Sequence, residues 1–228
     1  MPSPLLEPVA PGVFTVARPL TFLGLEMGTR MTVIQLGDGR LLVHSPVSLD
    51  EPLHDAVAAL GEVSFLVAPT LFHHLYVAPW RDAFPSAALW CCPGLERKRT
   101  DIAWTSVLAD DLRAPFGEEI DHVVFGARSI ENEAVLFHRP TRTIVSSDLV
   151  FDFGSLPSRL TRLVGALIGN RTVGATMLER LTIRDRPRAR RELDRMIAWE
   201  AERIVIAHGS IVREGGSVVI ERAFAFVG

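Results

Sequence analysis

Residues 63–76 read VSFLVAPTLFHHLY, an apolar run that carries a pair of adjacent histidines, His73 and His74, near its end. Apart from one serine, its first six residues are apolar, which is typical of a strand buried on both faces. The pattern recurs in residues 143–149, TIVSSDL, and in residues 204–209, IVIAHG. Each run ends in a side chain that can bind a metal, and the carboxyl ends of strands commonly converge on one cleft. Four side chains therefore form the candidate site: His73, His74, Asp148 and His208.

The composition excludes several classes of protein. Of the 228 residues, 48% are hydrophobic and 22% are charged, which excludes a disordered chain. A chain of this length buries roughly 70% of its unfolded surface and needs no disulfide to fold. We therefore predict a single domain over residues 1–228. The net charge of −3 gives no electrostatic footprint for nucleic acid or for an anionic membrane, so neither is expected as a partner.

The cysteines and the hydropathy pattern indicate the compartment. Cys91 and Cys92 are the only cysteines, and neighbouring residues cannot form an unstrained bridge. No stretch reaches the 18 apolar residues of a membrane-spanning helix. We expect a cytoplasmic protein. The mean hydropathy of +0.23 favours a large core or a buried interface. A helix is predicted over residues 157–168, and its apolar stretch at residues 160–168 is compatible with a homodimer or a partner surface.

The order of predicted elements indicates the architecture. Hairpin strands come first, helices then alternate with buried strands, and strands outnumber helices in both halves. The β-branched run at residues 217–226 predicts a closing strand or hairpin arm. This pattern favours a sandwich of two mixed sheets with helices on the outside.

Several segments resemble motifs of the metallo-β-lactamase-fold superfamily, in the same order along the chain. Residues 41–46, LLVHSP, resemble the early strand that usually ends in Asp-Thr-Gly. Residues 146–149, SSDL, resemble Gly-Asp-Leu, whose aspartate can bridge two metals. Residues 207–209, AHG, resemble the terminal Gly-His-Gly, whose histidine is a ligand. The resemblance implies an α+β fold, a four-layer αββα sandwich, and a metal site that includes Asp148 and His208.

The chain departs from the family at two places. The family motif HxHxDH lacks its Asp-His pair here, since residues 75–77 are Leu, Tyr and Val. The middle histidine, expected within residues 126–133, is also missing, and Glu131 or Glu133 are the candidates to replace it. Adjacent histidines point apart on a strand and about 100° apart on a helix, so we expect only one of His73 and His74 to bind an ion.

The remaining ligands suit one metal ion. Two histidines and a carboxylate leave open positions for water, as in catalytic zinc or mononuclear iron sites. The leading hypothesis is a metal-dependent hydrolase of unknown substrate that uses a metal-activated water. Asp148 is then a ligand or, failing that, a catalytic general base. Two alternatives stay open: a binding protein that has lost its metal, and an iron-dependent redox enzyme.

Two other histidines have structural interpretations. His44 occupies the place where the family often keeps a non-ligand aspartate, so we predict a structural hydrogen bond there. His138 precedes a turn that contains proline, which predicts a surface position.

Overall fold

The computed structural model describes residues 5–128 and 132–228, and three sheets lie within them. The first sheet has the strand order β1-β2-β5-β6-β7-β8-β9: Glu7–Ala10, Val13–Arg18, Thr29–Gln35, Arg40–His44, Glu62–Ala68, Ala88–Cys91 and Ser106–Val107. The second sheet has the order β10-β11-β12-β13: Ile120–Phe125, Glu133–His138, Thr143–Val145 and Arg203–Val205. A short hairpin consists of β3 and β4: Thr21–Phe22 and Leu25–Glu26. Both large sheets are mixed, because parallel pairs join β6 through β9 and also join β12 to β13.

Seven α-helices connect these strands in the described residues. They are α1 to α7: Glu51–Ala58, Val77–Ala83, Leu95–Lys98, Arg159–Leu167, Met177–Thr182, Arg186–Ile197 and Gly216–Ala223. Short 3-10 turns cover Phe153–Ser155 and Ala225–Val227. In this part of the chain, no helix combines the length and the apolar character that crossing a bilayer requires.

The core lies between the two large sheets. Phe65 and Val67 of β7 belong to the same buried cluster as Leu136 of β11 and Val145 of β12. Leu66, between the first two, packs in a different cluster on the other face of its sheet. Successive side chains of a strand point to opposite faces, so the continuous apolar run of β7 fills two layers at once.

Helices cover the outer face of each sheet. Leu53 of α1 and Trp80 of α2 pack on the first sheet together with Leu66. Leu193 of α6 and Ile220 of α7 pack on the second sheet. The four-layer αββα sandwich predicted from the sequence is therefore confirmed.

Two local predictions are wrong. Residues 217–226 do not form a strand, since α7 covers most of them; Ile220 and Phe224 are buried at helical spacing while Val218 is 65% exposed. The β-branched composition predicts a strand with a two-residue period, but tertiary packing overrides this weak local preference for strand. His138 is not on the surface either: β11 lies between β10 and β12, and the His138 side chain is buried with Nδ1 2.7 Å from Thr141 Oγ1.

Candidate metal centre

The second sheet positions Asp148 and His208. Strands β12 and β13 are parallel neighbours, and Val145 is in register with Val205. Each strand ends at that pair, and Asp148 and His208 each follow three residues later. Because Asp148 and His208 lie the same number of residues beyond a paired position, their side chains reach the same edge of the sheet, as expected at the ends of parallel strands.

The first sheet positions His73 through the loop that follows β7. The amide of Ala134 donates to the carbonyl of Pro69 at 2.9 Å, which joins this loop to the second sheet. Thr70 Oγ1 then accepts from the amides of Phe72 and His73, both at 3.1 Å. This turn directs the His73 ring across the gap between the sheets.

His73, Asp148 and His208 meet at one point. His73 Nε2 lies 3.4 Å from Asp148 Oδ1, and His208 Nε2 lies 3.5 Å from the same oxygen. The two Nε2 atoms are 3.2 Å apart. All three side chains are at least 91% buried, so few waters compete for these donor atoms. Among the described residues, this is the cluster of histidine, cysteine and carboxylate groups close enough to hold one ion.

Hydrogen bonds outside the cluster fix the orientation of each group. His208 Nδ1 donates to the carbonyl of Gly28 at 2.8 Å, which leaves its Nε2 lone pair aimed at the cluster. His73 Nδ1 lies 2.7 Å from Ser45 Oγ, and Thr70 Oγ1 donates to Asp148 Oδ2 at 2.9 Å. Ser45 has a φ of +54°, an unfavourable value for serine that places its hydroxyl on the imidazole. Hydrogen bonds of this kind, made on the side of the ring or carboxylate away from the cluster, are typical of histidines and carboxylates that bind metals.

The electrostatics of the cluster favour a positive charge at its centre. Burial alone raises the pKa of Asp148, but the imidazoles of His73 and His208 hold the pKa well below its usual range. Burial lowers the pKa of His73, yet the carboxylates of Asp148 and Glu133 raise it overall. A proton on His73 Nε2 can supply the positive charge, and so can a metal cation bound by the same three atoms.

The donor atoms fit a divalent metal ion. Tetrahedral ligands that lie about 2.0–2.1 Å from zinc are separated from one another by roughly 3.3–3.4 Å. The three separations here, 3.2, 3.4 and 3.5 Å, bracket that value. Three protein ligands also leave a fourth position open, as in catalytic zinc sites.

His74 lies outside this cluster. Its Nδ1 is 2.9 Å from Nη1 of Arg99, and burial together with Lys98 and Arg99 lowers the pKa of His74 to about 4. The adjacent histidines thus have different surroundings, His73 beside Asp148 and His74 beside a basic helix.

Glu133 supports the Asp148 loop from beneath. Its fully buried carboxylate accepts from Ser146 Oγ at 2.9 Å and from the amides of Ser147 and Asp148 at 2.6 and 3.0 Å. Arg128 completes the support, since it contacts Glu133 at 3.4 Å and donates to the carbonyl of Asp148 at 2.9 Å. Burial raises the pKa of Glu133 against the opposing effect of Arg128. The other candidate for the missing middle ligand, Glu131, lies outside the described residues.

Sequence reasoning missed most of this supporting shell. Thr70, Ser45, Arg128 and the Gly28 carbonyl contact the cluster, yet none of them carried a prediction. Thr70 was the easiest to find, since it directly follows the strand that leads to the histidines. The Gly28 contact spans 180 residues and leaves no local signal.

His44 is buried behind the cluster, at the end of β6. Burial lowers its pKa to about 3, so the ring is neutral. Its Nε2 has no hydrogen-bond partner within the residues that the structure describes, so the predicted structural hydrogen bond is not made by that atom.

A cavity of about 680 Å³ lies beside the centre. Its walls come from the β3–β4 hairpin and its flanks, from residues 155–157 before α4 and from the residues around His208; they include Leu20, Met27, Gly28, Leu156 and Gly209. This volume is within the range of small-molecule sites. The wall shares Gly28 with the hydrogen bond that orients His208, so the cavity adjoins this histidine.

Known structures share this architecture. The chain resembles the DIM-1 metallo-β-lactamase exposed to ceftazidime, with a TM-score of 0.68 and 14% identity over 97% of this chain and 95% of that chain. It also resembles a metallo-β-lactamase from Pontibacter korlensis, with a TM-score of 0.66 and 11% identity over 97% of each chain. A metallo-β-lactamase from Hirschia baltica has a TM-score of 0.64 and 11% identity, over 97% of this chain and 96% of that one. The structural similarity establishes the fold, and at these low identities it leaves the substrate undetermined.

Comparison with known sequences assigns the chain to a family. No curated protein matches the chain. The family model described as Domain of unknown function (DUF4336) matches residues 12–167, which include β2 to β12, His73 and Asp148. The chain belongs to the DUF4336 family and has the metallo-β-lactamase fold.

Proposed function

We propose that the protein is a metal-dependent hydrolase with one metal ion, held by His73, Asp148 and His208. One observation carries the proposal: three buried donor atoms lie 3.2–3.5 Å apart, and each side chain is oriented by a separate outer hydrogen bond. A divalent cation bound there would act as a Lewis acid and lower the pKa of a coordinated water towards 7. Zinc suits this mixed nitrogen and oxygen set.

The protein's own residues supply the rest of the chemistry. Asp148 is ionised at neutral pH and provides the negative charge, while Thr70 occupies its second oxygen and prevents the carboxylate from turning. His208 holds its proton on Nδ1 against Gly28 and offers Nε2 to the centre. The cavity beside Gly28 would hold the substrate next to these groups.

The missing ligands restrict the substrate. A two-metal clamp stabilises both the attacking and the leaving oxygen, and the described residues offer ligands for a single ion. We therefore expect weak hydrolysis of β-lactams and phosphodiesters. Activated esters and lactones are the favoured substrates, because one activated water can attack a carbonyl without a second ion.

The test is hydrolysis of p-nitrophenyl acetate and of a simple lactone by chelator-treated and zinc-loaded protein. We expect zinc to restore activity in the wild type and in His74→Ala but not in Asp148→Asn, each assayed at a temperature where circular dichroism shows that the variant is folded. Activity that does not respond to chelation, or zinc-restored activity in folded Asp148→Asn, would contradict the proposal.

The same donor set supports a second candidate. Two histidines and one carboxylate are also the ligands of mononuclear iron oxygenases. Metal analysis of protein purified without chelator separates the two: zinc favours hydrolysis, and iron favours redox chemistry.

A further inference from the structure

Helix α4 packs with its polarity reversed. Surface helices of globular proteins normally turn an apolar stripe towards the core. In α4, the buried residues are Thr161 and Gly165, whereas Leu160, Leu163 and Leu167 are 56–71% exposed. These leucines follow the spacing i, i+3, i+7 and form one stripe that faces away from the protein.

The attachment of α4 explains why its small face points inward. A Cβ at Gly165 would lie 2.3 Å from Cβ of Phe153, so only glycine permits this close approach. Thr161 Oγ1 donates to the carbonyl of Glu26 at 3.2 Å, which ties the helix to the β3–β4 hairpin. The contacts that hold α4 in place thus use its small and polar residues and leave its leucines outside.

Helix α5 extends the apolar surface. Its amide at Met177 donates to the carbonyl of Ile168 at 2.8 Å, so α5 begins where α4 ends. Six large apolar side chains of the two helices are 49–71% exposed and define what we call the α4–α5 face: Leu160, Leu163, Leu167, Met177, Leu178 and Leu181. Apolar surface concentrated in this way marks an interaction site rather than scattered exposure.

The same segment is strongly basic. Residues 157–186 contain six arginines and two acidic residues, a net charge of +4, in a chain whose net charge is −3. The rest of the chain therefore carries −7. The arginines are Arg159, Arg162, Arg171, Arg180, Arg184 and Arg186. Within the part of the chain that the structure describes, none of them forms an ion pair with an acidic side chain.

This charge indicates what covers the α4–α5 face. A symmetric dimer would bring the same patch of two copies together and would set one group of unpaired arginines against the other. A partner with negative charge and an apolar interior satisfies both features. Exposed leucines bordered by arginines are typical of helices that lie in the interface of an anionic bilayer.

We propose that the α4–α5 face docks on an anionic phospholipid membrane, with its leucines inserted among the acyl chains and its arginines at the phosphates. The net charge of the whole chain predicts no membrane partner, but it averages over residues 157–186, which are positive, and the rest of the chain, which is negative. The local charge therefore changes that expectation. Helix α4 is linked to the candidate metal centre through two rings. Phe153 lies against Gly165 and stacks on Phe151, and Phe151 stacks on His208 with ring centroids 5.7 Å apart. The inference rests on the exposed face and does not depend on the proposed hydrolase.

Co-sedimentation of the full chain with phospholipid vesicles tests the proposal. We expect binding to vesicles of equal parts phosphatidylcholine and phosphatidylglycerol, and much weaker binding to pure phosphatidylcholine. High salt should weaken the binding, since it screens the arginine charges. Leu163→Gln/Leu167→Gln and Arg159→Gln/Arg180→Gln should each lower the partition coefficient at least about 10-fold.

Helix α7 offers a matched control. Val218→Gln/Arg222→Gln also changes an exposed apolar and an exposed basic residue and should leave binding unchanged. Melting temperatures establish that every variant folds. Absence of binding to the anionic vesicles, or equal binding by all variants, would overturn the proposal. A dimer in sedimentation velocity that Leu163→Gln/Leu167→Gln dissociates would assign the face to a second copy instead.

Discussion

Replacing Thr70 with valine removes one hydroxyl from the centre of the site and leaves the shape of the side chain nearly unchanged. That hydroxyl donates to Asp148 Oδ2 at 2.9 Å and accepts from the amides of Phe72 and His73 at 3.1 Å, in a residue with no exposed surface. A hydrogen bond to a charged group contributes about 1.5–3 kcal/mol, and each amide left unpaired in the interior costs about 1 kcal/mol or more. Together these terms predict that Thr70→Val lowers the free energy of unfolding by about 3.5–5 kcal/mol.

Urea denaturation in the presence of a chelator measures this loss without a contribution from bound metal. Thr70→Ser is the matched control, because it keeps the hydroxyl and loses only a methyl group, worth about 1 kcal/mol. The valine variant should also bind zinc about 10–100-fold more weakly, as is usual when an outer contact of a ligand is removed. If Thr70→Val is no less stable than Thr70→Ser, or binds zinc as tightly as the wild type, the supporting role assigned to this hydroxyl is wrong.

Three further changes probe other parts of the structure by urea denaturation. Glu133→Gln should lower the free energy of unfolding by about 3 kcal/mol, since it leaves the buried guanidinium of Arg128 without its full counter-charge; a loss below about 1 kcal/mol would contradict this. Gly165→Ala should destabilise the protein by about 1–3 kcal/mol through the clash with Phe153, although alanine favours helices; greater stability would mean that α4 packs differently. In chelator, the wild type should lose about 1.4 kcal/mol per pH unit relative to His44→Gln between pH 6 and pH 4. The reason is that the pKa of folded His44 is lowered to about 3, so only the unfolded state takes up a proton in this window; equal pH slopes would contradict this.

The fold was predictable because its signals are local. The apolar run of β7 and the three strand-end motifs are visible in the sequence. Asp148 and His208 follow neighbouring strands, and the register of Val145 with Val205 makes their alignment a consequence of the topology. The directional argument for adjacent histidines also needed no structure. It could not say which of His73 and His74 faces the cleft, because the turn around Thr70 decides that.

Other features depend on contacts between distant segments. The Gly28 carbonyl that orients His208 lies 180 residues away, and no pattern near either residue indicates the pair. The position of Glu133 in the chain makes it a candidate ligand, but the structure directs its carboxylate to the backbone of residues 147 and 148. The reversed packing of α4 was hidden for a similar reason. Its leucine period correctly indicates an amphipathic helix, and only the fit of Gly165 against Phe153 determines which side faces inward.

Zinc titration of the chelator-stripped protein, followed by calorimetry, tests the central claim most directly. We predict one tightly bound ion per chain in the wild type and in His74→Ala, and at least about 100-fold weaker binding in His73→Ala and in His208→Ala. No binding by the wild type, two ions per chain, or equal losses in His73→Ala and His74→Ala would contradict a single metal centre built from His73, Asp148 and His208.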